Sequence, residues 1–152
     1  MTNKQRRIRM IIGWACMMIW GIISIALSRQ DGSTTAELSY GLSEHTARIL
    51  DNIGISIHAE LLNEIIRKTA HIVIYLILGG LLYYVLVYTF TQNIKQLFML
   101  SIAFCFLASS LDELQKKFIP GRHCDPEEIL LNSIAGIIGI GIGHFLCKHR
   151  KH

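Results

Sequence analysis

Four apolar stretches set the rhythm of the chain: Met10 to Leu27, Ala70 to Phe90, Gln96 to Leu111 and Ile129 to Cys147. Each holds about 16 to 21 residues, which at a helical rise of about 1.5 Å per residue reaches about 24 to 32 Å, close to the thickness of a bilayer's hydrocarbon. A backbone in lipid has no water to bond, and none of the runs alternates as a membrane strand does, so each reads as a helix. The pattern predicts an all-α polytopic membrane protein, a four-transmembrane-helix bundle. It forms one domain over residues 1–152, with transmembrane helices at about 10–27, 67–90, 95–114 and 127–147 and an outer polar segment over 28–66.

The polar segment has a pattern of its own. Ser28 to Thr35 is a turn-rich linker. Leu38, Leu42, Ala47, Ile49, Leu50 and Ile53 then recur at loosely helical spacing, with Glu37, Glu44, Arg48 and Asp51 between them, which predicts an amphipathic helix on the outer leaflet, broken at Gly54. A second helical pattern begins near His58 and meets no breaker before Tyr88. It reads as one long helix whose first two turns stand outside the hydrocarbon.

Composition agrees: hydrophobic residues are 51% of the 152 and charged residues 17%, the profile of a small integral membrane protein. Net charge is +4, which in a soluble chain would raise nucleic acid as a partner; here the cations orient the protein, and no nucleic acid is expected. Lys4, Arg6, Arg7 and Arg9 precede the first run as in a secretory signal, but that run is longer than a signal core and no small-x-small site follows it, so it reads as an uncleaved anchor. The positive-inside rule then keeps the N-terminus, Lys95 and the C-terminal Lys148, Arg150 and Lys151 in the cytoplasm and puts all eleven acidic residues outside. Of the four cysteines, Cys16 and Cys105 fall within apolar runs, Cys147 ends one and Cys124 lies in a polar loop, so neither a disulfide framework nor a CxxC knot is expected.

Candidate chemistry gathers at the outer ends of the middle spans. The uncharged run ending at Leu111 gives way to Asp112-Glu113-Leu114-Gln115, and the preceding span opens with Arg67-Lys68-Thr69-Ala70-His71. Carboxylates are costly in hydrocarbon, so such a pair is either an interfacial anchor or part of a site. The short connection around Thr91 to Lys95 makes the two spans antiparallel neighbours, which brings both clusters to one membrane face. Arg67, His71 and Tyr75 share a face at i, i+4, i+8, and Ser109, Asp112, Glu113 and Lys116 form a comparable stripe, so opposite charges are expected to face each other across the pair. After the Phe118-to-Cys124 turn, Asp125, Pro126 and Glu128 spell an N-cap, a first helical position and a capping box for the last span. Within it Asn132, Gly136, Gly139 and Gly143 share a face suited to close helix packing. His123, Cys124 and Asp125 with His71 match no metal-ligand spacing, so no metal and no cofactor is expected.

Three blocks together resemble the VanZ-like family of bacterial membrane proteins. They are Arg67-Lys68-x-x-His71-x-x-x-Tyr75-x-x-Leu78-Gly79, then Asp112-Glu113-x-Gln115 with Phe118-x-Pro120-Gly121-Arg122, and Glu128-Ile129-Leu130-Leu131-Asn132-x-x-x-Gly136-x-x-x-Ile140-Gly141. The resemblance runs from Leu61 to Gly143. This chain has Ile74 where the family usually has an acid before the tyrosine, and Glu128 where the family has an aspartate.

The resemblance implies a multi-pass protein of the bacterial cytoplasmic membrane that lowers sensitivity to glycopeptide antibiotics, chiefly lipid-bearing ones such as teicoplanin. The candidate ligand-binding set is Arg67, Lys68, His71, Tyr75, Asp112, Glu113, Gln115, Arg122, Glu128 and Asn132. Three readings follow: binding or shielding of a lipid-linked cell-wall precursor or lipoglycopeptide among the membrane lipids; an enzyme using His71, Asp112 and Glu113 as acid and base; or a structural scaffold without a ligand. No nucleophile elbow, phosphatase signature or cofactor motif favours the enzyme.

Overall fold

The computed structural model describes residues 2–28, 41, 44–49, 51–52, 58–91, 93–119 and 124–149. Among them there is no strand, and four helices are long and apolar enough to cross a membrane. They are α1 (Asn3–Ser28), α2 (Ala59–Thr89), α3 (Ile94–Lys116) and α4 (Pro126–His149). Each begins before the apolar stretch that predicts it, and all but α2 also end beyond it, because a helix continues into the polar flank once its hydrocarbon segment has nucleated it. The extension is largest in α2, whose 31 residues would reach about 46 Å, well past a hydrocarbon core of about 30 Å. Its first turns, with Glu60, Glu64, Arg67 and Lys68, extend accordingly.

Glycine decides which helices meet most closely. A methyl group on Gly79 would collide with the carbonyl oxygen of Gly136, and one on Gly139 with that of Leu76. The backbones of α2 and α4 therefore touch directly, with gains from dispersion that larger side chains would prevent. The small-residue face of α4 thus has its counterpart in Gly79 and Gly80 of α2. Cys105 of α3 approaches Gly136 as well, so the three helices converge there.

α1 sits on the outside of this trio and is mostly exposed to its surroundings. Gly13 lets it close on Val85 and Tyr84 of α2. Specific polar contacts fix its register: Trp20 Nε1 donates to the carbonyl of Ile74 at 3.1 Å, Trp14 Nε1 to Thr89 Oγ1 at 3.1 Å, and Arg9 Nη1 to the Tyr88 hydroxyl at 2.8 Å. Arg6 Nε also donates to the Tyr88 carbonyl at 3.1 Å, one of the acceptors a helix leaves open at its C-terminus. Basic residues thus collect where α1 begins and α2 ends; the opposite, charged end of the bundle holds the carboxylates of α2, α3 and α4.

Of the expected amphipathic helix in the polar segment, residues 44–49 are helical and carry an Arg48–Glu44 ion pair of 2.8 Å. Leu38, Leu42, Leu50, Ile53 and the Gly54 break lie outside the described residues.

Candidate functional site

Beyond Leu97 the buried face of α3 reads Ser101, Cys105, Ser109, Glu113 and Lys116, a stripe spaced by four residues and, in its last step, by three, which begins with small side chains and ends in two charges. The small groups find partners within the bundle. Ser101 Oγ donates to the Leu97 carbonyl at 2.8 Å, and Ser109 Oγ crosses to the Ile129 carbonyl of α4 at 3.2 Å. That crossing draws the start of α4 against the end of α3, and there the two charges meet their partners.

Glu113 is fully buried, and one of its carboxylate oxygens bonds Lys116 Nζ. The same ammonium reaches Glu128 Oε2 on α4 at 2.6 Å. The other Glu128 oxygen faces Arg67 Nη2 of α2 at 3.3 Å. Charge alternates along Glu113, Lys116, Glu128 and Arg67, a neutral line that ties three helices together at one end of the bundle. Each buried ion costs several kcal/mol to desolvate, which pairing offsets, so the buried members Glu113, Lys116 and Glu128 are stable together and poor when parted. Arg67 is its open end, with about half (49%) of its side chain exposed.

The geometry corrects the expected pairing. Arg67 does not face the acids of α3; its partner is Glu128, and α3 neutralises Glu113 with its own Lys116. The capping box is also only half formed. Asp125 caps α4 as expected, its Oδ1 accepting from Glu127 N at 2.9 Å. Glu128 does not return to the Asp125 amide, because both its oxygens are taken up by Arg67 and Lys116. Glu113 Oε2 accepts from that amide instead, at 3.3 Å, so a long-range pair has displaced the local one.

The other candidates sit around this line. His71 and Tyr75 lie inward of Arg67 on the same face of α2. His71 is within electrostatic reach of Lys116, Glu128, Asp112 and Arg67, and Tyr75, almost fully buried, lies beside Asp112. Asp112 Oδ1 accepts from Gln115 Nε2 at 2.8 Å. Asn132 is fully buried one turn inward of Glu128. Lys68 turns away to Glu64 on its own helix, 2.7 Å off, with both groups well exposed. Arg122 lies outside the described residues. Lys116, the hinge of the charge line, is absent from the candidate set. Its spacing of three from Glu113 was visible, but a lysine at the end of an apolar run also fits a snorkelling anchor.

Four buried polar atoms near the line have no partner among the described residues: His71 Nδ1, Asp112 Oδ2, Asn132 Oδ1 and Asn132 Nδ2. Buried polar atoms are normally satisfied, and an ordered water, an ion or a ligand would each satisfy these. Among the described residues no three His, Cys, Asp or Glu side chains are arranged to hold a metal ion.

The VanZ/LLP1 family model matches residues 11–147, which takes in most of α1 and the whole of the charge line. Neither the characterised proteins nor the solved structures compared with the chain gave a match.

Proposed function

The chain belongs to the VanZ/LLP1 family, and from that premise we propose that it lowers the sensitivity of a bacterium to glycopeptide antibiotics, teicoplanin and other lipid-bearing members first. It does so by binding or shielding at the outer face of the cytoplasmic membrane. The ligand is a lipid-linked cell-wall precursor or the lipoglycopeptide itself, held among membrane lipids. N- and C-termini are cytoplasmic, which places the charged end outside.

The observation that supports this reading is the form of the charge line. Three of its members are buried, whereas Arg67 stands half exposed at its rim with one ion pair, of 3.3 Å, among the described residues. A scaffold needs only the buried part; a guanidinium with free donors at a membrane surface can take a carboxylate or phosphate bidentately. His71 and Asp112, each with a buried atom that has no partner among the described residues, favour a second reading, an acid–base pair acting on a lipid-linked substrate or on the drug.

Expression in a susceptible host tests the proposal. The inhibitory concentration of teicoplanin should rise, and that of a glycopeptide without an acyl chain should rise less. Incubation of purified protein with teicoplanin separates the two readings: intact drug recovered with the protein supports binding, and a drug of altered mass supports the enzyme. Equal protection against both drugs would overturn the role of the lipid, and no protection would overturn the proposal.

A further inference from the structure

The charge line has a second layer beneath it. His71 follows Arg67 by four residues on α2, Asn132 follows Glu128 by four on α4, and Asp112 precedes Lys116 by four on α3, which runs the other way. Each therefore lies one helical turn, about 6 Å, further into the bundle than its charged neighbour. Since Arg67 and Lys116 both meet Glu128, the three residues beneath them lie at one level of the bundle, with His71 within electrostatic reach of Asp112. Glu128 and Gly136, four residues either side of Asn132, both contact α2 and α3, so the face of α4 that carries Asn132 is turned to those helices.

All three residues hold a buried acceptor atom without a partner among the described residues: His71 Nδ1, Asp112 Oδ2 and Asn132 Oδ1. His71 Nδ1 accepts in the tautomer protonated at Nε2. Asn132 is fully buried, so bulk water does not serve it. A primary ammonium has three N–H donors and no acceptor, whereas a hydroxyl has one donor. The charges point the same way. Lys116 and Arg67 are engaged with Glu113 and Glu128, so among the described residues Asp112 has the neutral Gln115 amide and Tyr75 phenol as neighbours. An anion would meet this carboxylate; a cation would neutralise it.

We propose that His71, Asp112 and Asn132 together seat a primary ammonium group one turn beneath the charge line. Asn132 Nδ2, a donor, meets an ester or hydroxyl oxygen adjoining the amine. This inference rests on reading the cluster as a ligand site and names the part of the ligand it holds. The amine comes either from a bilayer phospholipid or from a ligand arriving from the water side.

The test uses full-length protein with ¹⁵N-labelled histidine in phosphatidylglycerol nanodiscs, titrated with n-hexylammonium chloride. The His71 signal, identified by its loss in His71→Gln, should move saturably. Hexanol and hexyltrimethylammonium should bind about tenfold more weakly or worse, a difference of about 1.4 kcal/mol, and Asp112→Asn should weaken hexylammonium to a similar degree. If Asp112→Asn does not fold, Asn132→Leu removes one acceptor without burying a new polar atom and should show the same loss. Hexanol binding as well as hexylammonium, or no saturable movement, overturns the proposal and leaves ordered water as the occupant. Phosphatidylethanolamine nanodiscs distinguish the sources: competition identifies a lipid amine, and unchanged affinity an amine from the water side. The two proposals also fail separately. If Asp112→Asn keeps hexylammonium binding, the ammonium seat is wrong, whatever happens to protection; if hexylammonium binds the parent protein but that protein gives no protection, the seat stands and the resistance reading falls.

Discussion

Lys116 near the end of α3 and Glu128 at the start of α4 are joined by an ion pair of 2.6 Å in which both side chains are more than nine-tenths buried. The turn between the two helices is thereby closed by charge. Lys116 is also the only described cation on Glu113, so one ammonium neutralises two buried carboxylates. Its removal should be costly. Lys116→Met leaves Glu113 with one backbone amide among the described residues, and breaking a buried pair in this way costs about 3 to 5 kcal/mol. Thermal unfolding in detergent should show a large drop for Lys116→Met. Adding Glu113→Gln to that variant should recover part of the loss, because Glu128 keeps Arg67; additive losses would show that the pair is not coupled.

The α2–α4 contact predicts a graded glycine series. Gly79→Ala and Gly139→Leu push a side chain into the facing backbone, where a flexible neighbour cannot yield, so each should exceed the cost of about 1 to 3 kcal/mol typical of overpacking. Gly141→Ala meets nothing within 4 Å and should leave the folded yield unchanged. Fluorescence-detected size exclusion of tagged protein measures all three. Equal yields would mean that the helices do not approach as closely as described.

Much of this fold was legible in the sequence, because membrane helices are specified by length and apolarity, which need no knowledge of neighbours. The four runs, the unbroken pattern from His58 and the small-residue face of α4 are of that kind. Pairing is not. Gly79 and Gly80 occur as one short doublet in an apolar run, and nothing local marks them as the counterpart of Gly136 and Gly139, more than fifty residues away. The site divides in the same way. Arg67, His71, Asp112, Glu113 and Glu128 stand out because charge at the edge of hydrocarbon is expensive, but who neutralises whom depends on helix rotation. Glu128 shows this most clearly: its local spacing spells a capping box, and a buried lysine twelve residues earlier on another helix outcompetes the cap.

Orientation can be tested through one cysteine. Cys124, partly accessible ahead of α4, lies at the charged end, which is outside in the proposed orientation. An impermeant maleimide applied to intact cells should label Cys124, and Cys124→Ser should abolish the signal. Cys147 lies buried near the other end of α4 and should stay unlabelled. Labelling that appears only after lysis would invert the topology.

Arg67 is where a ligand role and a structural role come apart. Its side chain is half exposed and its ion pair is the longest in the charge line, whereas Glu128 has a second, closer partner in Lys116 at 2.6 Å. Half-exposed pairs contribute about 1 kcal/mol or less. Arg67→Gln should therefore leave the membrane level of the protein near normal and lower its melting temperature only slightly. If the guanidinium grips a carboxylate or phosphate on the ligand, the same variant should lose protection against teicoplanin. Arg67→Lys should restore it only in part, because an ammonium keeps the charge without the planar fork. Immunoblots of membranes alongside inhibitory concentrations separate the outcomes. If Arg67→Gln protein disappears from the membrane while the remainder protects as well per molecule as the parent, the arginine is a strut, and the line of charges serves the fold alone.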